Sequence, residues 1–413
     1  MLNKSPFNTQ QSIQFFAVIF FAMTFLIRSG NGFGALGLFL VTLISIPSLY
    51  QYYKSHALTG FEKGLFFGLI FFALIPMLSA FNEGLSGSAY DKPARYLVAA
   101  MTFILLLRYK VNLMSIALGA WLGAIFAGSN ALYDVFYLDM PRAGGRFTVV
   151  IEFGDISLLL TGFVMFCYQT LKQKIPQAFI VLSILLGFTA VILSQTRGAW
   201  LFIPFLLLLV ISHYRYSLVN LNKKKCVIIT TLLVSIIAIC TFSAGEMISE
   251  RIKEVQSDIT LYQKGDSFTP VGLRFDMWKG GIQSIKNNPI LGGGEQGVVI
   301  AKQQLDAENK INLPTEAINW KSVHNQYLDT WAKYGVFAFI ALLGLFLIPL
   351  VFFIKQRNKN DKEARTASYC GISLCMGYLF FGLTESIFTI NSTVMFYSFA
   401  IIILFSSAKT AKV

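Results

Sequence analysis

A series of long apolar segments is the feature that most constrains this chain. A helix needs about 20 apolar residues to cross the hydrocarbon core of a bilayer. Only 13% of the residues are charged, about half the share in soluble domains, which excludes a soluble globular protein. The sequence therefore predicts an all-α polytopic integral membrane protein with about 12 transmembrane helices. The candidate spans are residues 12–28, 33–50, 64–81, 94–107, 112–137, 154–171, 177–195, 198–212, 226–243, 332–354, 367–384 and 391–407.

Basic residues are distributed unevenly between the two sides of these spans. With the N-terminus inside, the short outer loops carry only Arg28, Lys92, Arg95, Arg142, Arg146 and Arg197, whereas the inner loops and the chain ends carry the larger number. Cytoplasmic loops are enriched in Lys and Arg, so we expect both termini to be cytoplasmic. This bias explains most of the net charge of +13 without a nucleic-acid partner.

One long polar segment, residues 244–331, lies on the outer side. Its apolar residues recur at helical spacing, as in Phe275, Trp278, Ile282 and Ile285. Such stripes predict amphipathic helices that lie on the membrane or on the bundle. The expected organisation is a transmembrane bundle at residues 1–243, a helical outer loop at 244–331 that carries active-site residues, and spans 10–12 with a cytoplasmic tail at 332–413.

The acidic residues of the spans stand near their outer ends. They are Asp134, Glu152, Asp155 and Glu385. Ion-coupled transporters usually keep ionisable groups near the bilayer midplane. The sequence therefore disfavours a transporter driven by protons or sodium and directs attention to chemistry at the outer face.

Arg197 stands in a short polar break, residues 195–198, between two apolar segments. A guanidinium is always charged and is costly next to hydrocarbon. An interfacial arginine that extends toward water would explain the position, but no carboxylate is close to it in the sequence. A bidentate ligand for phosphate oxygens therefore explains the placement better.

Arg274 and His324 are the next candidates on the outer side. Arg274 lies early in the second predicted loop helix, where a pair with Asp276 or with a lipid headgroup is the alternative. The other two histidines map to inner loops, so we expect no metal site. A histidine has an unperturbed pKa of about 6.5 and can accept a proton at neutral pH, although a lone histidine is more often structural.

Two further outer segments carry glycine or arginine. Residues 287–297 contain three consecutive glycines but no Lys-Ser/Thr ending, so a tight backbone turn is favoured over a phosphate-binding loop. Arg142 and Arg146 could bind an acidic sugar or phosphate, or balance Asp139, Glu152 and Asp155.

Taken in order, these motifs resemble the O-antigen ligase/polymerase superfamily. They are Ser194-Gln195-Thr196-Arg197-Gly198-Ala199-Trp200, Gly272-Leu273-Arg274, Pro289 before a glycine turn, and His324-Asn325. The resemblance is strongest from about Gly187 to Leu343. It places the two essential arginines of the family on Arg197 and Arg274 and its essential histidine on His324. Gln195 is close to Arg197 in its motif, and Asn325 follows His324. We expect these two residues, together with Arg142 and Arg146, to bind substrate.

Within that superfamily the chain is most similar to the O-antigen ligases of Gram-negative bacteria. The resemblance implies a multi-pass inner-membrane enzyme with a periplasmic active site. Such an enzyme moves a polysaccharide from undecaprenyl diphosphate onto lipid A-core oligosaccharide in lipopolysaccharide biosynthesis, with no metal or cofactor. Direct displacement would invert the anomeric carbon. One departure concerns the acidic residue that follows His-Asn in many members: here it is Asp329, with Lys333 nearer Gly335, which leaves the role of Asp329 open.

Three alternatives remain at this stage. An O-antigen polymerase uses the same donor with a second lipid-linked chain as acceptor. A protein O-oligosaccharyltransferase of the same superfamily also uses this donor, although such enzymes usually have a longer C-terminal region. A lipid-linked sugar transporter belongs to a different class, and the ordered outer loop disfavours it.

Overall fold

The computed structural model describes residues 8–219 and 253–410, and all regular structure in these two ranges is helical. The ninth predicted span, residues 226–243, lies outside the described residues. Residues 253–263 are helical. The other α-helices are Thr9–Ala22, Asn31–Ser55, Gly60–Asn82, Asp91–Arg108, Leu113–Phe136, Val150–Phe166, Tyr168–Leu171, Gln177–Ser194, Arg197–Val219, Pro270–Asn287, Gly294–Ala307, Thr315–Ile318, Gln326–Gln356, Lys362–Thr384 and Asn391–Ala408.

Eight helices of the described ranges are long and apolar enough to cross a membrane. The prediction of an all-α membrane protein is confirmed, whereas the count of about 12 spans is not. Three more predicted spans coincide with helices that are too short or too charged for this criterion. They are Thr9–Ala22 with 14 residues, Val150–Phe166 with 17, and Asp91–Arg108, which carries four charged side chains. These three stay predictions as spans.

The break predicted near Arg197 is confirmed. The helix Gln177–Ser194 ends when Gln195 adopts a left-handed backbone conformation with φ of 52°. Such a residue commonly terminates a helix, because it turns the chain out of the helical path. The next helix then begins at Arg197.

The first of two compact units comprises Met1–Val210 and Ile340–Val413. Its last helix, Asn391–Ala408, is 83% buried over its apolar window and is therefore the central helix of this unit. Glycines allow neighbouring helices to approach closely elsewhere: a Cβ at Gly34 would collide with the backbone of Phe20. Contacts through small residues of this kind are common between membrane helices.

The second unit comprises Ile211–Phe339 and has its own hydrophobic core. Met277 on the helix Pro270–Asn287 and Val298 on the helix Gly294–Ala307 both belong to it. The full set is Met277, Val298, Leu305, Ile311, Leu313, Ala317, Ile318, Val323 and Ala332. The polar segment thus buries apolar surface within itself, which is the main source of stability for such a unit.

The predicted helix around Phe275 and Ile285 is present, but its buried side differs from the apolar stripe. Ile282 of that stripe is 43% exposed, and the residues that the helix buries are Gly272, Asp276, Met277, Gly280, Gly281 and Ser284. The helix buries its small residues because the neighbouring helix lies too close for larger ones. A Cβ at Gly280 would collide with the side chain of Lys302 on that helix.

We expect residue 309 to be periplasmic and residue 359 to be cytoplasmic. Asn309 and Lys359 are both exposed, so the labelling of a cysteine at either position reports its side of the membrane. A membrane-impermeant thiol reagent added to the periplasmic side should label Asn309→Cys and spare Lys359→Cys. The reverse pattern would show that the orientation drawn from the basic residues is inverted.

Candidate active site

In the first unit, the turn that carries Arg197 is held by short polar side chains. Ser194 Oγ donates to Thr196 Oγ1 at 2.9 Å, and Thr196 Oγ1 donates to the carbonyl oxygen of Val150 at 3.2 Å. Both side chains pack so closely on Gly154 that a Cβ there would collide with them. The turn is therefore fixed by its contacts with the helix Val150–Phe166, while Arg197 itself is exposed.

Arg142 and Gln195 hold this turn to the preceding outer loop. Arg142 Nε donates to the carbonyl oxygen of Ser194 at 2.8 Å, and Gln195 Nε2 donates to the carbonyl oxygen of Pro141 at 3.1 Å. The last carbonyls of a helix have no partner within the helix, so the bond from Arg142 caps it, whereas the bond from Gln195 ties the turn to the loop at Pro141. Both residues thus have a structural role, and their contact with substrate stays a prediction.

Arg146 balances a buried acid. Its Nε lies 2.5 Å from Asp134 Oδ1, and Asp134 is fully buried. The backbone N–H of Gly144 donates to the other carboxylate oxygen at 2.8 Å. The acid involved is thus Asp134, which the sequence had not suggested, and substrate binding by Arg146 likewise stays a prediction.

Three other acids meet near the Arg197 turn. Glu152, Asp155 and Glu385 are all buried and interact electrostatically with one another. A Cβ at Gly198, the residue after Arg197, would lie 3.9 Å from Asp155 Oδ1. No carboxylate is close to Arg197 in the sequence, but helix packing brings Asp155, which is distant in the sequence, beside the neighbouring Gly198.

In the second unit, Arg274 lies on the helix Pro270–Asn287 and is half-buried. The helix begins with Thr269, whose hydroxyl accepts from the N–H of Gly272 at 3.1 Å. Proline at the first helical position, Pro270, also favours this start. Arg274 therefore projects from the second turn of a well-capped helix.

Asp276 anchors the same helix inside the unit. Its carboxylate accepts from the hydroxyl of Tyr262 at 2.7 Å and from the N–H of Asn312 at 2.8 Å, and Lys279 Nζ lies 3.1 Å away. Burial would raise the pKa of Asp276, but these hydrogen bonds and one from Ser267 keep it below the usual value. Asp276 is thus an ionised structural group of the unit.

His324 lies in the loop before the helix Gln326–Gln356 and is half-buried. Its φ of 53° is left-handed, a conformation that few non-glycine residues adopt. The next residue, Asn325, caps the helix, because its Oδ1 accepts from the N–H groups of Tyr327 and Leu328, both at 3.1 Å. Capping accounts for the asparagine of this motif without a substrate contact.

A buried ion pair fixes the backbone beside His324. Asp329 and Lys333 are 2.6 Å apart, and each side chain is 3% exposed. The other oxygen of Asp329 accepts from the N–H of Val323 at 3.1 Å. The acidic residue whose role was open therefore holds the residue that precedes His324.

Lys302 supports the same loop from the neighbouring helix. Its buried ammonium donates to the carbonyl oxygen of Ala317 at 2.8 Å and to that of Trp320. Burial lowers the pKa of Lys302 to about 8, the charge of Lys333 acts in the same direction, and Asp329 opposes it. Lys302 is not among the residues predicted from the sequence, because nothing in its sequence surroundings signals that a lysine on an amphipathic helix points inward.

The glycine-rich segment is a backbone turn, as predicted. The N–H of Gly293 donates to the carbonyl oxygen of Ala332 at 2.8 Å. Gly292 has φ of 76° and no room for a side chain against Lys333. Glycine is needed here for both the positive φ and the close approach, so the turn packs on the helix end that holds the ion pair.

The residue before His324 packs on the helix that carries Arg274. A Cβ at Gly281 would lie 3.3 Å from Val323 Cγ1, next to His324. Gly281 follows Arg274 by seven residues, which is about two helical turns, or about 10 Å along the same face.

The comparisons with known proteins agree with these motifs. A family model described as O-antigen ligase matches residues 182–343, the part of the chain that contains Arg197, Arg274 and His324. The chain is also 27% identical over 387 residues to an uncharacterized protein of Haemophilus influenzae, with 87% of this chain and 94% of that protein covered. Residues 182–343 are thus similar to the O-antigen ligase family, and this matched region contains the motifs in the same order.

Proposed function

We propose that the chain is an O-antigen ligase that transfers a polysaccharide from undecaprenyl diphosphate to lipid A-core oligosaccharide on the periplasmic side of the inner membrane. The proposal rests mainly on the matched region, residues 182–343, which contains Arg197, Arg274 and His324. Hydrogen bonds fix the backbone around each of these residues. The match of this region to the O-antigen ligase model supports glycosyl transfer in lipopolysaccharide biosynthesis. The donor, the acceptor and the roles of individual residues are the proposal.

In this mechanism Arg197 and Arg274 bind the diphosphate of the donor. Guanidinium groups bind phosphate oxygens in pairs, and their fixed positive charge stabilises the charge that grows on the leaving diphosphate. His324 removes the proton from the attacking sugar hydroxyl of the acceptor. The hydroxyl oxygen displaces undecaprenyl diphosphate in one step, which inverts the anomeric carbon and requires neither a metal nor a cofactor.

Reconstitution tests the proposal against its alternatives. The purified protein is supplied with undecaprenyl-diphosphate glycan and either lipid A-core or a second molecule of donor. Consumption of lipid A-core supports the ligase. Elongation of the donor would instead show a polymerase, transfer to a polypeptide would show a protein O-oligosaccharyltransferase, and movement of the intact donor across vesicles without transfer would show a transporter.

Replacing Arg197 by lysine should be nearly as harmful as replacing it by alanine. Lysine keeps the positive charge but loses the planar guanidinium that binds two phosphate oxygens. Donor binding and transfer should both fall in Arg197→Lys and Arg197→Ala at equal protein level. Arg357→Lys, just after the end of the helix Gln326–Gln356, is the matched control and should behave as the unmodified protein. Near-normal transfer by Arg197→Lys would mean that the residue only extends toward water.

Substitution of His324 should abolish base catalysis and spare donor binding. Asparagine tolerates the left-handed backbone of this position better than most residues, so His324→Asn separates loss of the imidazole from backbone strain. Transfer should fall by about 10²–10⁴-fold with an unchanged melting temperature. Normal turnover by the variant would remove His324 from the mechanism.

Asp329 should act as a positioning residue through its acceptor oxygen. Asp329→Ala should lower stability by about 3–5 kcal/mol, because it leaves Lys333 buried without a counter-charge. Two double variants remove both charges: Asp329→Asn with Lys333→Met retains an acceptor for the N–H of Val323, and Asp329→Leu with Lys333→Met does not. Thermal unfolding and transfer rate are measured on both.

At similar melting temperatures, the leucine double variant should lose about 10²-fold in transfer, the scale expected when a catalytic group is misplaced by about 1 Å. The asparagine double variant should stay close to the unmodified enzyme. Equal activity of the two double variants would show that the ion pair serves stability alone.

A further inference from the structure

The glycine-rich turn ends in an exposed aliphatic tip, Ile290 and Leu291. Ile290 is 59% exposed and Leu291 is 79% exposed, although the backbone on both sides of them is tightly held. Contact of two large aliphatic side chains with water is unfavourable. A fixed backbone that presents such a pair outward indicates a surface that another apolar phase covers.

The tip is bound to the helix Gln326–Gln356 around the break at Gly335. The carbonyl oxygen of Pro289 accepts from the N–H of Val336 at 3.1 Å and from Trp331 Nε1 at 3.0 Å. A Cβ at Gly335 would collide with the carbonyl oxygen of Ile290. The backbone of Ile290 therefore lies at the level of Gly335, where φ of 78° interrupts the helix.

The depth of Gly335 in the bilayer follows from the helix after it. Val336–Ile354 is an uncharged run of 19 residues that ends at Lys355. At 1.5 Å per residue it is about 28 Å long, close to the roughly 30 Å of the hydrocarbon core. With Lys355 at one boundary, Gly335 would lie at the other, and Phe337, which is 61% exposed, would face acyl chains.

Trp331 marks the same boundary. Its ring stacks on that of Phe339 with centroids 5.0 Å apart, while its N–H is used by Pro289. Tryptophan is enriched at the interface between hydrocarbon and water. The aliphatic tip is held by this residue and shares its depth.

We propose that Ile290 and Leu291 form a wedge that inserts into the phospholipid leaflet at the Gly335 end of this helix. The partner is the boundary between headgroups and acyl chains, and the wedge anchors the glycine turn and the ion-paired helix end to the membrane surface. This role is independent of glycosyl transfer, so it stands or falls separately from the proposed function.

Depth-dependent quenching of a fluorophore tests the wedge. Leu291→Cys, Phe337→Cys and Asn309→Cys are made without the five native cysteines, labelled with bimane and reconstituted as full chains into vesicles of phosphatidylethanolamine and phosphatidylglycerol. Quenchers are iodide in water and phospholipid with a doxyl group high on its acyl chain. Asn309, in an exposed polar loop of the same unit, is the control for water, and Phe337 is the control for lipid.

Doxyl lipid should quench the probe at 291 several-fold more than the probe at 309, and iodide should quench it several-fold less. Iodide quenching at 291 equal to that at 309 would overturn the wedge. Shielding at 291 from both quenchers would also overturn it, since protein rather than lipid would then cover the tip. A probe at 337 without doxyl quenching would refute the depth assigned to Gly335 and the wedge with it.

A second measurement avoids the cysteine-free background. A photoreactive amino acid replaces Leu291 in the chain with its native cysteines, and the irradiated protein is analysed by mass spectrometry. Adducts with phospholipid are expected. Crosslinks to a second copy of the chain in place of lipid would show a protein interface instead.

Discussion

The ion pair between Asp329 and Lys333 is the interaction on which the rest of the second unit depends. Two opposite charges 2.6 Å apart and nearly excluded from water are costly to bury and are tolerated only when both are satisfied. The remaining oxygen of Asp329 is used by the N–H of Val323. One buried carboxylate thereby holds both the helix and the residue before the proposed base.

Gly335 separates a polar segment of the helix Gln326–Gln356 from an uncharged one. Its positive φ ends the polar segment that carries the ion pair and begins the uncharged run that crosses the membrane. The glycine turn occupies the notch at this break, with Gly293 bonded to Ala332. The ion pair and the turn that carries the proposed lipid wedge thus meet at this break in the helix, next to the loop of the proposed base.

Hydrogen bonds hold the turn at Arg197 in the first unit. Uncharged hydroxyls and backbone carbonyls fix it, with Thr196 bonded to Val150 and Arg142 bonded to Ser194. These hydrogen bonds position the backbone of the turn. The guanidinium is therefore presented at a helix start, where helix dipoles also favour anions.

The sequence by itself determined the all-α membrane class, the break at Gln195, the helix that carries Arg274 and the backbone role of the glycine turn. These follow from hydrophobic period and local backbone chemistry, which act over a few residues. Only the tertiary structure decided that Asp329 holds Val323, that Lys302 points inward, that Arg146 pairs with Asp134, and that Asp155 lies beside Gly198. Each of these contacts joins residues from different elements or reverses the expected side of a helix. Local periodicity carries no information about them, because packing alone selects which distant side chains share a buried space.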